Sequence, residues 1–297
     1  MRIVISGSSG LIGTALRAHL QSAGHTVVPL VRRSPSAGEI EWDPGAGSLA
    51  SDALDDVDAV VHLAGAGIGD HRWTDAYKRQ ILDSRVQSTE LLARTIAAAA
   101  RPPAVLLSGS AIGIYGACND EQLDESSPPG TGFLADVCQQ WEHAAAAAAA
   151  GGTRVVLLRT GIVLSPLGGA LKKQLPLFRF GLGGRFGSGR QWQSWITLLD
   201  QVRAVEHLLT ASIAGPVNLS APNPVTNAQF AKTLGKVLHR PALLPIPKFG
   251  PKLLLGSELA DALLFTGQRV LPTALVASGF SFEHAELGAG LRAVLHR

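Results

Sequence analysis

The chain has 297 residues, of which 46% are hydrophobic and 16% charged, and its formal net charge is +3. These values indicate a folded globular protein and exclude a disordered chain. The length suffices for one large α/β domain with a smaller appendage. Lys and Arg are spread along the chain without a block of five or six, so the sequence predicts binding neither to nucleic acid nor to a membrane surface.

Segments that would direct or anchor the chain are not evident in the sequence. The first strand is predicted to begin at residue 2, which leaves no room for a signal peptide, and no apolar run reaches the roughly 18 residues of a membrane-spanning helix. Cys118 and Cys138 are the only cysteines, and neither they nor the nine histidines show metal-site spacing. The sequence therefore predicts a cytoplasmic protein without a metal site.

A glycine turn follows the first predicted strand (residues 2–6), with the sequence Gly7-Ser8-Ser9-Gly10-Leu11-Ile12-Gly13. A helix is predicted over 11–23, because apolar residues recur there at helical spacing. Glycines let the backbone approach a pyrophosphate closely, and the free N–H groups of the helix then face its negative charge. The order strand, glycine turn, helix therefore predicts a dinucleotide site.

Strands and helices alternate through the first half of the chain. Further strands are predicted over 26–31, 58–63, 104–108 and 154–158, and helices over 74–98 and 133–150. This alternation predicts an α/β fold, a doubly wound parallel-sheet Rossmann core with a smaller C-terminal lobe. Residues 1–160 are assigned to the core, to which 188–223 return through a strand near 216–220, and residues 161–187 and 224–297 to a smaller substrate lobe.

The residues after the second strand indicate which dinucleotide is bound. Dinucleotide sites for NAD carry an acidic residue there, which accepts a hydrogen bond from the ribose. This chain has Arg32 and Arg33, and no Asp or Glu occurs before Glu39. Guanidinium groups suit a 2′-phosphate, which predicts NADP(H). The alternative is a pair of solvated arginines in a loop.

Several segments together are similar to the extended short-chain dehydrogenases/reductases. Besides the glycine turn, they are His62-Leu63-Ala64-Gly65 and Ser108-Gly109-Ser110 with Tyr115-Gly116. More narrowly, the chain resembles the atypical "epimerase family" branch of the NAD-dependent epimerase/dehydratase superfamily, whose members carry a C-terminal domain of unknown function. The segments similar to this branch are His62-Leu63-Ala64-Gly65-Ala66, Arg72-Trp73-Thr74, Ser84-Arg85-Val86, Trp192–Ile196, Gln268–Pro272 and Gly279–Phe282.

This resemblance implies a position for each cofactor contact. Gly7, Gly10 and Gly13 would meet the pyrophosphate, which Ser9, Leu11 and Ile12 would line. Arg32 and Arg33 would meet the adenosine ribose, and Leu63, Ala64 and Gly65 would lie beside the adenosine. Arg85, Ser108 and Ser110 would lie near the nicotinamide. The resemblance also implies a homodimer through the helices at 74–98 and 133–150.

The chain departs from that family at its acid–base pair. Most members carry Tyr-x-x-x-Lys on one helix, where the lysine lowers the pKa of the phenol. Neither of the two tyrosines has a lysine four residues later, and the matching helix positions are Phe133 and Val137. Ser110 and Tyr115 are the predicted replacements, with Ser110 orienting a substrate oxygen. Glu142, further along that helix, is expected to be a surface charge.

A substrate pocket is predicted around Arg190, Trp192 and Trp195, which combine a charge with flat apolar faces. The alternative places both tryptophans in the core. Two functions remain open at this point. One is an NADP(H)-dependent oxidoreductase or epimerase-like enzyme of atypical mechanism acting on a small molecule, with a sugar nucleotide as one candidate. The other is a redox-silent NADP(H)-binding regulatory or sensor protein.

Overall fold

Residues 1–296 are described by a computed structural model. Within them the strands are β1 (Arg2–Ser6), β2 (Thr26–Val31), β3 (Ile40–Glu41), β4 (Ala59–His62), β5 (Val105–Ala111), β6 (Gln122–Leu123), β7 (Arg154–Thr160), β8 (Ile162–Leu164), β9 (Trp192–Gln193), β10 (Trp195–Thr197), β11 (Gly215–Leu219), β12 (Val225–Thr226) and β13 (Arg269–Val270). The helices are α1 (Leu11–Ser22), α2 (Asp75–Ala98), α3 (Phe133–Ala144), α4 (Gly169–Arg179), α5 (Leu198–Thr210), α6 (Asn227–Leu238), α7 (Phe249–Leu255), α8 (Ser257–Ala260), α9 (Thr273–Ala277) and α10 (Leu287–Leu295).

Seven strands form the central sheet in the order β11-β7-β5-β4-β1-β2-β3, and every neighbouring pair is parallel. This arrangement confirms the predicted α/β Rossmann fold. The short edge strand β3 was not predicted, because a two-residue strand leaves no periodic signal in the sequence.

Helices cover both faces of the sheet because successive side chains of a strand point to opposite sides. Ile3 and Ile5 of β1 pack in one cluster with residues of α1 and α5. Val4, between them, packs in the other cluster with Leu92 and Ile96 of α2. All three β1 side chains are fully buried, as expected for a doubly wound sheet.

The predicted helix over 133–150 is wrong at its C-terminal end. The α-helix stops at Ala144, and Ala146–Gly151 form a 3-10 turn that ends at Gly152 with φ +82°. Alanine favours the α-helix, but helix ends commonly tighten to 3-10 geometry, and Gly152 in the left-handed conformation ends the 3-10 segment.

A third apolar cluster lies outside the central sheet. Phe178 of α4, Phe230 and Leu234 of α6 and Leu291 of α10 pack together around Trp195. Two short pairings, β10 with β8 and β13 with β6, connect this part of the chain to segments next to the sheet. Among residues 1–296, no helix is both long and apolar enough to cross a membrane.

Candidate dinucleotide and substrate site

In the glycine turn, backbone atoms approach one another so closely that Gly7 and Gly13 have no room for a Cβ. Gly7 has φ +69°, and a Cβ on it would lie 2.7 Å from the carbonyl carbon of Leu63. A Cβ on Gly13 would lie 2.2 Å from the carbonyl oxygen of Gly7. Helix α1 begins at Leu11 with Gly10 as its N-cap, and no side chain caps it. The first N–H groups of the helix are thus open toward an anion.

Arg32 and Arg33 follow β2 at the same edge of the sheet, since Leu30 pairs with Ser6 of β1. Both are exposed. Arg33 donates two hydrogen bonds to the Glu39 carboxylate, of 2.7 and 2.8 Å, and this pairing holds the pKa of Glu39 down at about 2. None of the side-chain hydrogen bonds or ion pairs within residues 1–296 involves Arg32. The guanidinium of Arg32 is therefore the one available to bind a 2′-phosphate.

A buried hydrogen-bond network holds the segment after β4 beside the glycine turn. The Ser6 hydroxyl accepts from the backbone N–H groups of Leu63 and Ala64, at 3.2 and 3.3 Å. It also lies 2.6 Å from Nδ1 of His62, whose Nε2 lies 2.9 Å from the Thr89 hydroxyl. Because the Thr89 hydroxyl donates to the Arg85 carbonyl, it accepts from His62. The imidazole is therefore neutral and protonated on Nε2.

Stability should fall in mild acid because of His62. Burial, with a smaller contribution from Arg85, lowers its pKa from 6.5 to about 3. The unfolded chain therefore takes up this proton as the pH falls below 6.5, whereas the folded protein does not before about 3. We expect the free energy of unfolding to be about 2 kcal/mol lower at pH 5 than at pH 7.5 through this group. Urea unfolding of the wild type and of His62→Gln at both pH values measures the difference, and an equal loss in both proteins would contradict it.

Arg85 and Ser108 lie further along the carboxyl edge of the sheet, next to β4. Arg85 donates to the carbonyl oxygens of Ala66 and Ile81, each at 3.0 Å, and its guanidinium lies 5.0 Å from the Trp141 ring centroid. Ser108 pairs in register with His62. Its hydroxyl is buried without a hydrogen-bond partner among the described residues. An unsatisfied buried hydroxyl at the carboxyl edge of a parallel sheet is available to a ligand.

Ser110 belongs to a chain of polar contacts that leads away from this edge. Its hydroxyl donates to Glu142 Oε1 at 2.7 Å. Arg159 donates to the same carboxylate twice, at 2.8 and 2.9 Å. The side chain of Glu142 is only 11% exposed, so the expectation that it is a surface charge is wrong. With its proton directed to Glu142, Ser110 can offer only lone pairs to a ligand.

Tyr115, expected as a proton donor, is fully buried. Its hydroxyl donates to Asn218 Oδ1 at 2.8 Å and accepts from Arg159 at 3.0 Å. Burial raises its pKa, against the opposing effect of Arg159. Because the hydroxyl is fully buried and committed to two protein partners, the structure contradicts the assignment of Tyr115 to catalysis.

The helix face that carries Tyr and Lys in most relatives of this fold is apolar. Val137 packs in a cluster with Tyr77 and Ile81 of α2, and the Phe133 ring lies 4.9 Å from that of Trp73. No ionisable side chain of α3 therefore occupies those two positions.

The structure separates the three residues predicted for the substrate pocket. Trp195 is fully buried in the apolar cluster of α4, α6 and α10, which corrects its assignment to the pocket. Trp192 is half-buried and donates from Nε1 to Asp120 at 2.8 Å. Arg190 is exposed near the start of β9.

Gln193 and Arg269 were missed in the sequence. The Arg269 guanidinium lies 4.5 Å from the Trp192 ring centroid. Within the described residues, Arg269 Nε and Gln193 Oε1 are buried without a hydrogen-bond partner. A donor left open beside a tryptophan ring, and an unsatisfied acceptor on the same strand as that tryptophan, are features of a polar ligand site. Both lie in segments that carry the family resemblance, Trp192–Ile196 and Gln268–Pro272, but nothing in the sequence marked these two side chains as ligand-binding. No group of three or more His, Cys, Asp or Glu side chains in residues 1–296 is arranged to hold a metal ion.

The strand order, the backbone-closed glycine turn and the polar groups along the carboxyl edge together define a Rossmann-type dinucleotide-binding protein. The model of the NAD dependent epimerase/dehydratase family matches residues 3–220, and that of a domain of unknown function, DUF1731, matches residues 246–294. The chain therefore belongs to the NAD-dependent epimerase/dehydratase family, as its resemblance to the "epimerase family" branch implied.

Similar proteins occur in bacteria and animals. Epimerase family protein Mb2239 of Mycobacterium bovis is 47% identical over 97% of this chain and 96% of its own length. The crystal structure of human epimerase family protein SDR39U1 with NADPH is 35% identical, covers 100% of this chain and 99% of that one, and has a TM-score of 0.91. A nucleoside-diphosphate sugar epimerase from Corynebacterium glutamicum is 39% identical over 99% of this chain and 58% of its own, with a TM-score of 0.80.

Proposed function

We propose that the protein is an NADP(H)-dependent oxidoreductase or epimerase-like enzyme of atypical mechanism that acts on a small molecule. The observation that carries this proposal is the glycine turn at the N-terminus of α1, next to an Arg32 with no partner among the described side chains. The human relative crystallised with NADPH supports it. The residues around the turn fit a dinucleotide, because its backbone closure leaves N–H groups and no Cβ facing the phosphates.

The proposed cofactor site lies along the carboxyl edge of the sheet and uses residues of the strands, loops and helices that meet there. The phosphates lie on the turn and the start of α1, and the adenosine 2′-phosphate lies on Arg32, with Arg33 behind it. The adenosine lies beside the segment after β4, and the nicotinamide lies near Arg85 and Ser108. The complete set is Gly7, Ser9, Gly10, Leu11, Ile12, Gly13, Arg32, Arg33, Leu63, Ala64, Gly65, Arg85 and Ser108.

The bound nicotinamide supplies hydride transfer. Ser110 holds a substrate oxygen at the reacting end of the site. Since its own proton is directed to Glu142, it accepts a hydrogen bond from a substrate hydroxyl or from a bound water. Arg85, fixed by two backbone carbonyls, adds a positive charge that favours negative charge on the substrate oxygen.

The substrate site is proposed between β9 and the segment of β13. Arg190, Trp192, Gln193 and Arg269 offer charge, an aromatic face, an open acceptor and an open donor. An anionic substrate with a ring fits this set, and a sugar nucleotide is one such molecule. The Corynebacterium relative, described as a nucleoside-diphosphate sugar epimerase, supports that class.

A second candidate function is a redox-silent NADP(H)-binding sensor. It is favoured by the apolar packing of Phe133 and Val137, which leaves α3 without an acid–base pair at these positions, and by the burial of Tyr115. The redox state of cofactor bound after purification, followed during addition of a panel of sugar nucleotides and other carbonyl and alcohol metabolites, separates the two. Net conversion between NADPH and NADP⁺ coupled to one metabolite, or epimerisation of an added sugar nucleotide without net cofactor change, supports the enzyme. Binding with neither product change nor cofactor conversion supports the sensor.

NADPH should bind at least about tenfold more tightly than NADH, a difference of about 1.4 kcal/mol. Arg32→Ala should remove most of this preference, because Arg32 has no competing partner. Arg33→Ala should remove less, since Glu39 already engages Arg33. Isothermal titration calorimetry of both cofactors with the three proteins measures it, and the exposed Arg94 of α2 provides a control, Arg94→Ala. Equal affinities of the wild type for NADPH and NADH would refute the assignment.

A further inference from the structure

Six large apolar side chains project into solvent from two neighbouring segments. They are Phe180, Leu182, Leu243, Leu244, Phe249 and Leu253, each between 58% and 85% exposed. Phe180 and Leu182 follow α4, Leu243 and Leu244 lie in the segment that leads into α7, and Phe249 and Leu253 lie in α7 itself. Helix α7 has no buried residue. Monomeric proteins rarely expose such a concentration of apolar side chains without an interaction that covers it.

The two segments lie side by side. Arg240 donates to the Arg179 carbonyl at 3.0 Å, and the Ile246 N–H donates to the Arg185 carbonyl at 2.8 Å. A Cβ on Gly184 would lie 1.8 Å from the carbonyl oxygen of Leu244. The six side chains and the cations Arg179, Lys236, Arg240 and Lys248 are called here the apolar–basic face.

Acidic and basic residues are separated along the chain, and the face lies in two ranges that contain only basic ones. Residues 161–199 and 207–257 contain ten Lys and Arg and no Asp or Glu, whereas the rest of the chain contains 16 Lys and Arg and 23 Asp and Glu. Arg179, Lys236, Arg240 and Lys248 are all exposed. Within residues 1–296, none of the four forms an ion pair. Lys252 of α7 pairs with Asp261, so the small net charge of +3 conceals four exposed cations near the six apolar side chains and not a wholly cationic side of the molecule.

We propose that the apolar–basic face docks the protein on a membrane surface that contains anionic phospholipids. Leu and Phe side chains enter the interface between headgroups and acyl chains, and the surrounding Lys and Arg attract the phosphates. This is peripheral contact by a turn, a loop and a short helix, and it needs no spanning helix. This proposal reverses the prediction, made from the sequence, that the protein does not bind a membrane surface. That prediction considered runs of basic residues along the chain but not the separation of basic from acidic residues.

The composition of the face favours a membrane over a protein partner. Four of its six apolar members are Leu, which is under-represented among the hot spots of protein interfaces, and two of its four cations are Lys, which is depleted in such interfaces, whereas its Phe and Arg fit either partner. A second copy in a two-fold dimer would bring the same cations against each other without a carboxylate to neutralise them.

Sedimentation with lipid vesicles tests the proposal with the full chain. The protein should sediment with phosphatidylcholine vesicles that contain phosphatidylglycerol and not with phosphatidylcholine alone, and high salt should weaken the binding. The double variants Phe249→Ser with Leu253→Ser and Arg179→Gln with Lys236→Gln should each bind at least about tenfold more weakly. Val276→Ser and Arg94→Gln, an exposed apolar residue and an exposed cation elsewhere, should bind as the wild type does.

Thermal unfolding checks that each variant is folded, and only folded variants are compared. Three outcomes would overturn the proposal: no sedimentation of the wild type, equal binding to neutral vesicles, or unchanged binding of both double variants. A dimer in analytical ultracentrifugation that Phe249→Ser with Leu253→Ser abolishes would assign the face to a second copy and would also overturn it.

Discussion

Replacing Gly13 by alanine should reduce NADPH affinity at least about a hundredfold, or about 2.7 kcal/mol. The added Cβ would lie 2.2 Å from the carbonyl oxygen of Gly7 and 2.8 Å from Cα of Ser8. Both are backbone atoms of the turn itself, so no flexible side chain can move aside. The turn must open, which displaces the N–H groups that face the phosphates.

Calorimetry with NADPH measures this effect, and thermal unfolding without cofactor shows whether the fold survives. Gly288→Ala is the matched control, because a Cβ there meets only side-chain atoms at 3.6 Å or more. It should leave affinity unchanged. A folded Gly13→Ala protein with wild-type affinity would show that the phosphates bind elsewhere.

Glu142→Ala should lower the free energy of unfolding by about 3–5 kcal/mol, since it leaves the Arg159 charge buried without a partner. The Arg159 side chain is 7% exposed. Two of its bonds to Glu142 would be lost, and only Tyr115 and a long contact to the Glu125 carbonyl would remain. Ser110 would lose its acceptor as well.

Urea unfolding measures the loss, with Glu90→Ala on the exposed side of α2 as the control for removing a glutamate. The double variant Glu142→Leu with Arg159→Met should recover much of the stability, because removing both charges also removes their desolvation cost. A loss below about 1 kcal/mol in Glu142→Ala would show that this pair is effectively solvated.

The contacts of Arg32, Arg33, Glu142 and Arg269 could not be predicted from the sequence. Arg32 and Arg33 are indistinguishable in the sequence, and only the fold brings Glu39 back onto one of them. Glu142 looked like a surface charge because its partners, Ser110 and Arg159, lie 32 and 17 residues away. Arg269, which lies against Trp192, is separated from it by 77 positions. Such contacts depend on tertiary packing, for which local periodicity carries no signal.

The sequence by itself determined the parallel α/β fold, the glycine turn and the absence of Tyr-x-x-x-Lys, because each depends on residues close together in the chain. Short apolar runs, helical spacing and glycine positions act over fewer than about 25 residues. Only the tertiary structure decided that Tyr115 and Trp195 are buried and that cations gather on one exposed face. Burial and charge segregation are properties of surfaces assembled from distant segments, and they exist only once the chain has folded.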